Sequence, residues 1–94
     1  MNKEEALALL REQVAQYRSQ PYEELLRLVD NQDELVCDGP TGTKYYLEIM
    51  AFWDDSPKAD LRVRGAINDG GFWSAVSPLC DDFIMRPDGS FVGE

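Results

Sequence analysis

The chain has 94 residues, 9 basic against 18 acidic, no histidine, and a net charge of −9. That length fits one domain, residues 1–94, and leaves no room for a second core. The composition, 44% hydrophobic and 29% charged, is globular rather than disordered, and the charge opposes nucleic acid and anionic membranes, whose binding draws on Lys and Arg.

The N-terminus, Met1-Asn2-Lys3-Glu4-Glu5, carries acids where a secretory signal carries only basic charge, and Arg11 and Glu12 soon interrupt the apolar residues that follow. A signal peptide is not expected, no run reaches the roughly 20 apolar residues of a membrane span, and a cytoplasmic location is the default expectation. Asn2 with Glu5 three residues later predicts a capped helix start. Leu7, Leu10, Val14 and Tyr17 place an apolar stripe on that helix. Ser19-Gln20-Pro21 closes it and opens a second, with Tyr22, Leu25, Leu26 and Val29 as its stripe and Glu23 and Glu24 in its first turn.

From Glu34 the period changes to two. Leu35-Val36-Cys37 predicts a short strand and Gly39-Pro40-Thr41-Gly42 a turn. Thr43 to Trp53 is the longest strand, with Tyr45, Leu47, Ile49, Ala51 and Trp53 on one side and Tyr46, Glu48, Met50 and Phe52 on the other. After the polar Asp54-Asp55-Ser56-Pro57-Lys58, Leu61, Val63, Gly65 and Ile67 alternate with Arg62, Arg64 and Ala66. Asn68-Asp69-Gly70-Gly71 predicts a tight hairpin. It would set Ile67 against Phe72 and Ala66 against Trp73, with Pro78 ending the returning strand. Phe83-Ile84-Met85 and Ser90-Phe91-Val92, around Arg86-Pro87-Asp88-Gly89, predict a last hairpin.

The expected fold is α+β: two N-terminal helices packed on one face of a four- to five-stranded antiparallel β-meander. Its core is expected to hold Leu7, Leu10, Val14, Leu25, Leu26, Val29, Leu47, Ile49, Val63, Ile67 and Val76. From about Tyr17 onward the chain resembles a group of small bacterial α+β domains. The features are Tyr22-Glu23-Glu24-Leu25, Phe52-Trp53-Asp54-Asp55, Asn68-Asp69-Gly70-Gly71 and the tail from Asp82-Phe83-Ile84-Met85-Arg86-Pro87-Asp88-Gly89 to Glu94. The resemblance implies helices followed by strands; it carries no established activity and no catalytic residues.

The absence of histidine removes the commonest general base and metal ligand. The glycine segments lack phosphate-binding spacing. Cys37 and Cys80 form no CxxC and read as small hydrophobes. No enzyme and no cofactor are expected. Asp54, Asp55, Asp60, Asp81 and Asp82 could gather around a divalent cation, giving an alternative reading as a small ligand- or metal-binding module. Solvated turns and caps account for them more simply.

The doubled aromatics say more. Tyr45-Tyr46, Phe52-Trp53 and Phe72-Trp73 each send one ring to either side of a strand. Tyr46, Met50, Phe52, Arg62, Arg64 and Trp73 are thereby expected to share the face away from the helices; the plainer alternative is a lone Tyr, a cation–π pair such as Phe52 with Arg62, and a C-terminal hairpin folding over the rest. Aromatics, Met and Arg are enriched in protein interfaces. The expected function is binding another protein, either a basic one, as an inhibitor or immunity protein does, or a second copy of this chain.

Overall fold

The computed structural model describes residues 1–55, 59–71 and 78–93. The element order is helix α1 (Lys3–Arg18), a single turn α2 (Tyr22–Leu25) that tightens into a 3₁₀ segment (Leu26–Val29), then strands β1 (Asp33–Asp38), β2 (Lys44–Trp53), β3 (Leu61–Asn68) and β4 (Leu79–Met85). The strands pair antiparallel in sequence order, β1-β2-β3-β4. This is the α+β meander expected from the periodicity.

Asn2 caps α1 by accepting from the Glu5 N–H at 3.1 Å. The reciprocal half of the expected box is not made. The Glu5 carboxylate instead accepts from the Thr41 N–H (3.1 Å), the Thr41 hydroxyl (2.9 Å) and the Tyr45 hydroxyl (2.8 Å), tying the helix start to the β1–β2 turn. The backbone donor of Thr41 is the main reason that the Glu5 carboxyl titrates below its ordinary value.

Helix α1 lies across the dry face over β3 and β4, where Gly65 lets it approach. A Cβ at Gly65 would sit 2.8 Å from Val14 Cγ2 and 3.0 Å from Leu10 Cδ1. Leu10, Val14, Tyr17, Leu25, Tyr45, Leu47, Ile49, Leu61, Val63, Ile67, Phe83 and Met85 are all buried. Leu7, Leu26 and Val29 only pack against this core from its margin, and Leu28 is buried in their stead. The tighter winding of Leu26–Val29, about three residues per turn, rotates Leu28 inward. Val76 lies outside the described residues.

Two further expectations are corrected. Ile67 pairs with Leu79 and Ala66 with Cys80, not with Phe72 and Trp73. Asn68 and Asp69 do form Asx turns, accepting from the Gly70 and Gly71 N–H groups at 2.8 and 3.0 Å. Pro78 directly precedes β4, as its missing N–H allows, and the expected returning strand from Phe72 to Ser77 lies outside the described residues. Asp81 and Asp82 consequently stand inside β4. The C-terminal hairpin forms as expected, with Arg86 N–H donating to Ser90 O at 2.7 Å and Met85 bridged to Phe91.

Candidate functional site

The second face of the sheet has no helix over it among the described residues. Side chains alternate along a strand, so Glu34, Val36, Tyr46, Glu48, Met50, Phe52, Arg62, Arg64, Asp82 and Ile84 share this face. The structure brings together five of the six expected interface residues: Tyr46, Met50, Phe52, Arg62 and Arg64. Trp73 lies outside the described residues.

Register divides the face into two ends. At one, Phe52 stands opposite Arg62, and Met50 opposite Arg64. Arg62 donates through Nε and Nη2 to Asp54 Oδ1 (3.1 and 2.9 Å) and through Nη1 to Asp82 Oδ2 at 3.0 Å. Arg64 reaches the same Asp82 oxygen at 3.5 Å and lies 5.1 Å from the centre of the Phe52 ring. The cation–π pair on this face is therefore Phe52 with Arg64, not Phe52 with Arg62 as the plainer alternative had it. Arg62, although directly across from the ring, is drawn aside by two carboxylates, and charge pairing outweighs stacking at a partly exposed site. Both guanidinium groups are engaged within the chain at this end.

The other end is different. Glu34 stands directly opposite Glu48, and Val36 opposite Tyr46. The Gly39 N–H donates to Thr43 O at 2.8 Å, and hydrogen-bonded pairs alternate along an antiparallel ladder. Counting back from that bond makes Glu34–Glu48 and Val36–Tyr46 non-hydrogen-bonded pairs, the kind whose side chains approach most closely. Like charges so placed repel. Across β3, Glu48 meets Ala66, which offers no counter-charge. Beside the two glutamates lie the two most exposed large apolar side chains of the strands, Val36 at 60% and Tyr46 at 43%. A surface depression of about 380 Å³, lined by Glu34, Leu35, Val36, Tyr46, Leu47 and Glu48, crosses this end.

Strand β1 is the edge of the sheet, and it is fastened at both ends. Asp33 accepts two bonds from the Arg27 guanidinium (2.8 and 2.9 Å) and one from the Tyr17 hydroxyl at 2.7 Å. Those bonds, Arg27's first, hold the Asp33 carboxyl below its ordinary titration range. Burial, reinforced by Asp33, pushes the Tyr17 phenol up to about 12. Beyond the other end, Glu5 holds Thr41 and Tyr45.

The aspartates weighed as cation ligands are not brought together. Asp54 and Asp82 are spent on Arg62, and Asp81 alternates to the opposite face from Asp82. Asp55 and Asp60 join no group, and among the described residues no three acidic or cysteine side chains are arranged to hold a metal ion. Cys80 is exposed on the open face and Cys37 half-buried on the other, so only Cys37 fits the reading of a small hydrophobe.

The Glu34–Glu48 pair and Val36 were missed in the sequence. The run Leu35-Val36-Cys37 masks its own alternation, and an acid pair across two strands is visible only once register is known. No helix among the described residues is long and apolar enough to cross a membrane. No protein-family model matches the chain, and neither curated proteins nor solved structures give a match.

Proposed function

We propose that this protein is a non-enzymatic, cytoplasmic module that binds another protein, of basic character, through the open face of its sheet. The observation that carries the reading is the pairing of Val36 and Tyr46, exposed and side by side, with Glu34 and Glu48 next to them, which among the described residues have no ion-pair partner. Apolar side chains gain by leaving water. A facing lysine or arginine would relieve the repulsion between the two carboxylates. The net charge of −9 steers a basic partner toward the chain and opposes association of two copies. Acidic inhibitors of basic toxins, such as immunity proteins, are an analogy for this way of working and no more than that.

The test is capture from lysate at low and high salt, with the bound proteins identified and purified. Hydrogen exchange then locates the contact. A basic partner whose binding weakens with salt and is lost in Tyr46→Ser supports the reading. Association that tightens with salt as the chain meets itself, or protection confined to the helical face, defeats it.

A further inference from the structure

We propose that β1 is the docking strand: a basic, extended segment of the partner adds to the sheet at its free edge. This rests on the protein-binding reading above and narrows it to one element and one kind of occupant. The alternation that makes Glu34, Val36 and Asp38 non-hydrogen-bonded partners of β2 also directs their N–H and C=O groups away from β2. Their side chains look onto the open face while their backbone groups look outward along the edge, so one row of residues offers both kinds of contact. Among the described residues no strand takes up these groups.

Exposed edges of this kind are hazards unless they are blunted. Here the blunting is by charge: of the three acids in Asp33-Glu34-Leu35-Val36-Cys37-Asp38, Asp33 is paired with Arg27 and Asp38 stands opposite Lys44, which leaves Glu34, doubled by Glu48 across the ladder. A second copy added at this edge would bring its own Glu34 and Glu48 against this pair. A basic strand would instead be drawn in, so the same charges that reject self-pairing select the occupant.

The brackets at each end add the third requirement, a template already in shape. Asp33 is held by Arg27 and Tyr17, and the turn beyond Asp38 by Glu5, so little ordering remains to oppose binding. An added strand would set a Lys or Arg beside Glu34, its long side chain reaching over β1 toward Glu48, and an apolar residue two positions along beside Val36. Its alternate side chains would turn to the other face, toward the half-buried Leu35 and Cys37, and should be small. This is main-chain recognition with pockets for alternate side chains.

The probe is the capped peptide acetyl-Lys-Thr-Val-Val-Lys-Thr-amide, whose Lys-x-Val-x-Lys row reads alike in either direction. Amide NMR of the intact chain should show the largest shifts at Glu34, Val36 and Asp38, with affinity falling roughly tenfold or more as salt screens the charges. A backbone N-methylated version of the peptide should not bind. Glu34→Lys and Glu48→Lys, each checked by its melt, should lose binding while remaining folded.

Shifts centred on Met50, Phe52 and Arg64 would overturn the edge proposal and leave the open-face reading standing. Peptide binding undiminished by N-methylation, or no binding at all, would also overturn it. The wider reading fails separately, when no basic protein is captured or hydrogen exchange puts the contact elsewhere. Broadening of the β1 amides with protein concentration alone, in the absence of peptide, would name a second copy as the occupant and overturn the proposal.

Discussion

At the β3–β4 end of the sheet one face is covered and the other has paired its charges. Helix α1 presses on Gly65 from one side, and on the other Asp54, Arg62, Asp82 and Arg64 satisfy one another beside Phe52. At the β1 end neither face is finished. Leu35 and Cys37 are only half-covered, while Glu34 faces Glu48 with no cation between them among the described residues. The same sheet thus holds a half that has settled its packing and charge internally and a half that has not. On the proposed reading, these unsettled features on a fastened strand are where the protein gives up stability for binding.

The largest test removes the cover. Deleting residues 1–18 strips α1 from β3 and β4 and should abolish the cooperative melt, leaving an aggregating or molten chain. A fragment that still melts cooperatively would show that the closed end does not depend on the helix.

Next comes a matched pair of truncations. Leu10→Ala, at the fully buried centre of the closed end, should cost about 2–5 kcal/mol. Leu35→Ala, half-buried at the open end, should cost about 1 kcal/mol, because less apolar area returns to water. Equal losses in denaturant melts would erase the contrast.

The brackets of β1 respond to pH. Glu5 and Asp33 have depressed folded-state values, so their stabilisation is present above the ordinary carboxylate range, about pH 4, and fades as pH falls through the folded values. Tyr17 runs the other way. Its raised value of about 12 means a contribution present below about pH 10 and lost as pH climbs from there. Amide exchange of β1 should accelerate first at both extremes; Asp33→Asn, which has no carboxyl to protonate, should make β1 exchange faster at neutral pH and remove Asp33's share of the acid limb. A β1 that stays as protected as β3 throughout would contradict the role given to the brackets.

The smallest effect has the opposite sign. Glu48→Gln should raise monomer stability by about 0.2–1 kcal/mol, by ending the cross-strand repulsion, while weakening capture of a basic partner. A change that stabilises the fold and impairs binding is the mark of a functional position; no gain in the melt would mean the repulsion is already screened.

Much of the dry face was legible in the residues themselves. Leu10, Val14 and Leu25, and the inward set of β2 and β3, follow from periods of 3.6 and 2 that any buried face must obey. The errors cluster where sequence offers a strong local signal that the rest of the chain outvotes. Asn68-Asp69-Gly70-Gly71 is good turn chemistry, and it does turn, but where the next strand pairs was not decided by those four residues. Leu26 and Val29 fit an α-helical stripe until the segment tightens to 3₁₀. Arg62 fits a stack with Phe52 until Asp54 and Asp82 compete for it.

The residues alone determined the order of helices and strands, the antiparallel class of the sheet, its dry face and the surplus of acid, because periodicity, turn chemistry and charge are properties of neighbours along the chain. Only the tertiary structure decided that Arg62 is neutralised, that Glu34 and Glu48 are not, and that β1 stands at the edge with both ends secured. Those are properties of neighbours across the sheet, fixed by register and by strand order, and residues that repel across two strands carry no mark of it in either one.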